Sequence, residues 1–117
     1  MKRRSREFMT EPKCRAIVRE RSGEVCELCP RRAAQMHHRR NRSQSGKWTP
    51  SNILHLCVED HVWIGANIAA AVRNGWSIQG RMLEPFEVPV LLKGEKVWLS
   101  DDGSILPAPP NQLEIAK

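Results

Sequence analysis

Cys26 and Cys29 stand two residues apart in the stretch VCELCP, and a third cysteine, Cys57, closes the apolar run NILHLC. The C-x-x-C spacing lets one tight turn present two sulfurs to a single ion, and a strand ending at Cys57 can bring up a third. A structural Zn²⁺ takes four ligands, and the next candidates are Asp60 and His61, three and four residues after Cys57. The spacing leaves both open. Cys14 falls on one helical face with Ile17 and Val18 and reads as an apolar core residue outside the set.

A bound ion suits the rest of the composition. The chain has 117 residues, the size of one domain, with 5% aromatics, no Tyr and four Trp. A core built mainly from aliphatics gains from a metal cross-link. No apolar run approaches the ~20 residues that span a bilayer. The opening MKRRSREFMTEP resembles the basic start of a signal peptide, but no apolar segment follows it. A cytoplasmic, reducing location is therefore expected, in which cysteines serve as thiolates or core residues rather than as disulfides.

Charge is unevenly spread. Residues 1–52 carry 14 Lys and Arg against 5 Asp and Glu, whereas residues 53–117 carry 5 against 8. Positive potential concentrated in one half suits a polyanion such as nucleic acid, although a solvated basic face gives the same composition.

Four regions are expected: a basic arm at 1–9, a core at 10–75, a β extension at 76–106 and a Pro-rich tail at 107–117. Thr10 reads as an N-cap with Pro12 in the first turn, starting a helix that ends near Gly23. AAQMHH and NILHLC read as strands, and residues 39–50 between them, rich in Arg, Ser and Gly, as a loop. One helix is expected from Glu59 or Asp60 to a stop at Gly75. Beyond it, VPVLLKGEKVWLSDDGSI has the pattern of a hairpin or small meander. The class is α+β.

Within residues 24–75 the elements CELC, HH, SNILHLC and DH occur in an order that resembles the HNH endonuclease family, whose fold is the ββα-metal motif. The family usually reads Asn-x4-Cys-x2-Cys-His where this chain has NILHLCVEDH, so Asp60 replaces the second Cys of the pair. The chain is particularly similar to small HNH proteins of phages and their actinobacterial hosts. In these the helix after the motif is also followed by a GW and a VPVLL…VWLSDDG-like tail.

The resemblance implies a role for each matching residue. His38 would be the general base that takes a proton from the attacking water. His37 and His61 would hold one divalent cation, Mg²⁺, Mn²⁺ or similar, and Asn52 would fix the loop through bonds to its backbone. In the preferred reading Cys26, Cys29, Cys57 and Asp60 hold structural Zn²⁺, which frees His61 for the catalytic ion. In a second reading His61 completes a Cys3His site and no cutting follows. In a third, packing alone holds the knuckle. Neighbours on a regular strand face opposite sides, so a shared phosphate for His37 and His38 requires the strand to end or twist there.

Arg39, Arg40, Arg42 and Lys47 are expected to meet phosphates from the loop. His55 is expected to be a strand residue without catalytic function, and Trp48 and Trp63 to serve packing before base stacking. The function implied is a metal-dependent DNA endonuclease, nicking or double-strand, in the setting of phage DNA packaging beside the terminase. The alternative is a non-catalytic zinc module that binds nucleic acid or a terminase-like partner.

Overall fold

The computed structural model describes residues 9–109. Most of the expected basic arm and Pro-rich tail lies outside the described residues. The described residues form three α-helices and two small antiparallel sheets, an α+β arrangement.

Helix α1, Glu11–Ser22, begins and ends where its capping residues dictate. Thr10 accepts from the Lys13 amide at 3.3 Å, and Gly23, at φ 65°, turns its own amide back to the Arg19 carbonyl. Its buried face carries Cys14 and Val18. Strand β1, Gln35–His38, pairs antiparallel with β2, Ile53–Leu56, in a register that sets His37 opposite Leu54 and His38 opposite Ile53.

Strand alternation gives this hairpin two different faces. Met36, His38 and Ile53 face α1, where Ile53 packs with Cys14 and Val18 beside Trp48. His37, Leu54 and Leu56 face the larger core, which Leu54 and Leu56 share with Ile64, Ala71 and Trp76. β1 ends at His38, which is still paired with Ile53. Alternation up to that strand end sends the two rings to opposite sides, so the end alone does not turn both to one phosphate.

The single helix expected up to Gly75 is two helices, α2 at Val58–Ala66 and α3 at Ile68–Arg73. Asn67, at φ −136° and ψ 57°, leaves helical space between them, and its side chain bonds the Trp63 carbonyl at 2.9 Å. Gly65 and Asn67 are weak helix formers that the Ala-rich run does not outweigh. Gly75 then approaches the chain before the second sheet so closely that a Cβ would sit 2.0 Å from the Pro89 carbonyl oxygen.

The second sheet is a meander of β3, Val90–Leu92, β4, Glu95–Leu99, and β5, Ile105–Leu106, as the alternating C-terminal pattern suggests. Val90, Val97 and Leu99 from its inner face join the larger core. No helix among the described residues is long and apolar enough to cross a membrane.

Candidate metal centre

The knuckle is a turn closed by a β-bridge between Val25 and Arg32, within which the Cys26 amide donates to the Arg31 carbonyl at 2.8 Å. This turn aims Cys26 and Cys29 at the start of α2. Cys57 is the N-cap of α2, its sulfur accepting from the Asp60 amide at 3.3 Å. Asp60, one turn into the helix, extends its carboxylate to 3.2 Å from the Cys26 sulfur.

The ligand atoms of Cys26, Cys29, Cys57 and Asp60 all lie within 4.8 Å of one another, close enough to hold one metal ion. The Cys29 and Cys57 sulfurs are 3.7 Å apart. A tetrahedral centre with metal–sulfur bonds of about 2.3 Å places its sulfurs roughly 3.8 Å apart, so the spacing fits such an ion. His61 is not a member of the cluster. The geometry brings in Asp60 as the fourth ligand group.

The surroundings favour charge on the sulfurs once a cation is present. The Leu28 amide lies 3.5 Å from the Cys26 sulfur, and an Arg31 guanidinium nitrogen lies 3.7 Å from that of Cys29. Burial, helped by Asp60 and only partly offset by backbone amides, pushes the Cys26 thiol up to about 12, and burial raises that of Cys57. Burial also pushes the Asp60 carboxyl upward, but hydrogen bonds from the three thiols outweigh it and hold the group below its ordinary value. A dication neutralises what burial opposes, which is why such thiols lose their protons on metal binding.

On the other side of the hairpin's helix-bearing face, β1 and α2 bring two imidazoles together. The His37 and His61 ring centroids are 5.1 Å apart in an edge-on arrangement. His37 Nε2 lies 2.7 Å from the Trp76 carbonyl oxygen, an acceptor only, so Nε2 carries the proton and Nδ1 keeps its lone pair. His61 Nδ1 bonds the Gln35 side-chain oxygen. Burial, followed by the charges of its neighbours, lowers the His37 pKa to about 4 despite the Trp76 carbonyl, keeping the ring neutral. Neutral imidazoles with one nitrogen anchored to an oxygen are the usual form of histidine metal ligands.

His38 stands apart from this pair. Its ring packs edge-on against Trp48 at 4.6 Å, on the α1 side, and its Nε2 is shut away with no partner among the described residues. Burial lowers its pKa as well, helped by Arg42. Trp48 is covered in turn by the Arg15 guanidinium at 4.8 Å. Trp63 pairs with Trp76 at 6.0 Å, a packing contact of the kind expected.

Asn52 is fully buried and binds the loop backbone three times. Its Oδ1 accepts from the Arg40 amide at 2.8 Å, and its Nδ2 donates to the Arg40 and Lys47 carbonyls at 3.2 and 3.1 Å. Its position relative to the histidines is therefore set through Arg40, two residues after His38. His55 lies in β2, where Nδ1 meets the Ser22 hydroxyl at 2.7 Å.

The four basic loop residues divide. Arg42 and Lys47 are exposed. Arg39 is not: at 0% exposure its guanidinium donates to the carbonyls of Gly75, Ser51, Pro85 and Val88, and so joins the loop, the end of α3 and the approach to β3. The expectation that Arg39 meets phosphate is corrected, because its donors are consumed inside the fold. Arg40 is mostly covered, with one guanidinium nitrogen on the Leu83 carbonyl.

Sequence reading missed three contributors. Gln35 and the Trp76 carbonyl orient the two imidazoles, and Arg21 with Glu27 forms a buried pair behind the knuckle. Arg21 meets both carboxylate oxygens at 2.7 and 2.8 Å and donates to the Pro50 and Ile53 carbonyls, while Glu27 accepts the His55 amide. Glu27 inside the C-x-x-C turn, where a solvent-facing charge would serve equally well, is the one sequence hint of this pair. Comparisons of the chain with protein-family models, with curated proteins and with solved structures found no match in any of the three.

Proposed function

We propose that the chain is a metal-dependent DNA endonuclease of the HNH, ββα-metal class, with structural Zn²⁺ in the cluster of Cys26, Cys29, Cys57 and Asp60. The observation that carries this reading is the adjoining pair His37 and His61. One comes from the hairpin and one from the helix tied to it at the cluster, the rings lie edge to face, and each has one ring nitrogen anchored by a hydrogen bond.

His37 Nδ1 and His61 Nε2 would hold a divalent cation, leaving its remaining positions to water and phosphate. Such an ion supplies Lewis-acid stabilisation of the phosphoryl and leaving oxygens when bound. Trp76 and Gln35 keep the two imidazoles in the ligating tautomer. Asn52 holds the loop that carries the phosphate-facing side chains, and the resemblance gives the proton of the attacking water to His38, whose ring would have to leave Trp48 to reach the His37 face. One such site per chain cuts one strand, so nicking is the simplest output.

A second reading, a non-catalytic zinc module that binds nucleic acid or a terminase-like partner, is favoured by one observation: His38 packs on the opposite face of β1 from His37. Conversion of supercoiled plasmid to open circle separates the two. With Mg²⁺ or Mn²⁺ the wild type nicks, excess EDTA stops it, and His37→Ala and His38→Ala each reduce the rate by about 100-fold or more. A folded, zinc-loaded chain that binds DNA in a salt-dependent way yet never nicks selects the second reading.

A further inference from the structure

A cleft of about 180 Å³ lies beside the loop that Asn52 fixes, lined on one side by Ser45, Lys47 and Thr49 and on the other by Arg81. Arg40 belongs to the same lining. We propose that this cleft binds a phosphate oxyanion, supplied by the DNA backbone. The inference rests on the nucleic-acid reading above and assigns it a subsite outside the metal centre and the histidine pair.

Arg40 is the first reason. It is 5% exposed, its backbone is held from both sides by Asn52, and its Nε is buried without a partner among the described residues. A buried guanidinium N–H with no acceptor is costly, and an anion in the cleft that Arg40 lines would offset part of that cost through the guanidinium charge. Arg81 is the second. It is exposed, forms no ion pair with a described residue, and is placed by the bond from the Gly80 amide to the Gln44 side chain at 3.4 Å. That bond joins the two walls.

The loop wall is preformed. Gly46 packs so tightly that a Cβ there would lie 1.8 Å from the Arg40 carbonyl oxygen, and its amide donates to the Asn41 carbonyl at 2.9 Å. The Ser45 and Thr49 hydroxyls on this wall are neutral donors of the kind that accompany arginines at phosphates. Two carboxylates also line the cleft, Glu84 and Asp101. Both are engaged by the fold: Asp101 receives the amide and hydroxyl of Ser51, and Glu84 forms a reciprocal cap with Glu87. Arg40, Lys47 and Arg81 outnumber the two carboxylates around this volume, which is larger than one phosphate group requires and leaves room for the adjoining sugar.

The test is an amide-shift titration of the full zinc-loaded chain with inorganic phosphate and with a short DNA duplex, for wild type and Arg81→Gln. Both ligands should move the Ser45, Gly46 and Thr49 amides in the wild type. Arg81→Gln should weaken both effects and lower the slope of log affinity against log salt for the duplex by about one. If phosphate moves these amides and a bound duplex does not, the cleft serves a free phosphate and the DNA assignment is overturned. If neither moves them although the duplex binds or is nicked, the cleft proposal fails and the nuclease reading stands.

Discussion

Asn52 and Arg40 are locked together side chain to backbone: the Asn52 oxygen takes the Arg40 amide at 2.8 Å and its nitrogen gives to the Arg40 carbonyl at 3.2 Å. One side chain thus completes both hydrogen bonds of a buried residue at the point where β1 becomes the basic loop. Asn52→Ala leaves these groups unpaired and should destabilise the chain by about 2–3 kcal/mol in urea unfolding. Asn52→Asp keeps the acceptor but loses both donations, and should fall between the two. Equal stability of all three would deny Asn52 this task.

Arg21 and Glu27 form the most deeply buried ion pair among the described residues, with side chains 2% and 5% exposed. Removing one charge strands the other in the interior, and Glu27→Ala or Arg21→Ala should each cost about 3–5 kcal/mol. The double variant Arg21→Met/Glu27→Leu should recover much of that loss. Additive losses in the double variant would show that the pair is not coupled.

Cys14 supplies a pH dependence separate from the metal centre. Burial, only partly offset by Arg21, pushes its thiol up to about 11 from 9.0. The folded chain then holds a proton that the unfolded chain releases, so its contribution is complete below pH 9 and is lost as pH rises from 9 towards 11. Unfolding measured across that range should fall more steeply for wild type than for Cys14→Val. The native, zinc-loaded chain should also resist alkylation at Cys14 at pH 8; rapid labelling there would contradict its burial.

The cluster of Cys26, Cys29, Cys57 and Asp60 joins the knuckle to the first turn of α2, so if an ion fills it, metal removal should loosen the hairpin and helix together. A strong chelator should release one ion per chain and lower Tm by about 10 °C or more, the equivalent of roughly 2 kcal/mol for a domain of this size. Asp60→Cys should retain the ion and Asp60→Ala should bind it more weakly. Elemental analysis and calorimetry on the same samples read both effects, and full metal retention in Asp60→Ala would remove Asp60 from the site.

Local signals made α1, the hairpin and the C-terminal meander readable, because Thr10, Gly23 and strand alternation act over a few residues. The cysteine cluster was readable for a similar reason: a tight turn presents two of its members together and a strand end brings up the third. The destinations of Arg39 and Arg21 were not. Their partners are carbonyls and a carboxylate brought up by distant segments, and in sequence an arginine bound for the interior looks like its solvated neighbours. The division of His37 from His38 follows from strand alternation, but only once the pairing is known to continue through His38. The break at Asn67 was hidden by the Ala-rich run that follows it.

The most direct measurement is zinc content and plasmid nicking on one preparation of His61→Ala. The assignment of His61 to the catalytic cation predicts one zinc per chain, as in wild type, with cation-dependent nicking lost. Loss of zinc together with nicking would place His61 in the structural site, and unchanged nicking at full zinc loading would remove the His37 and His61 pair from the chemistry.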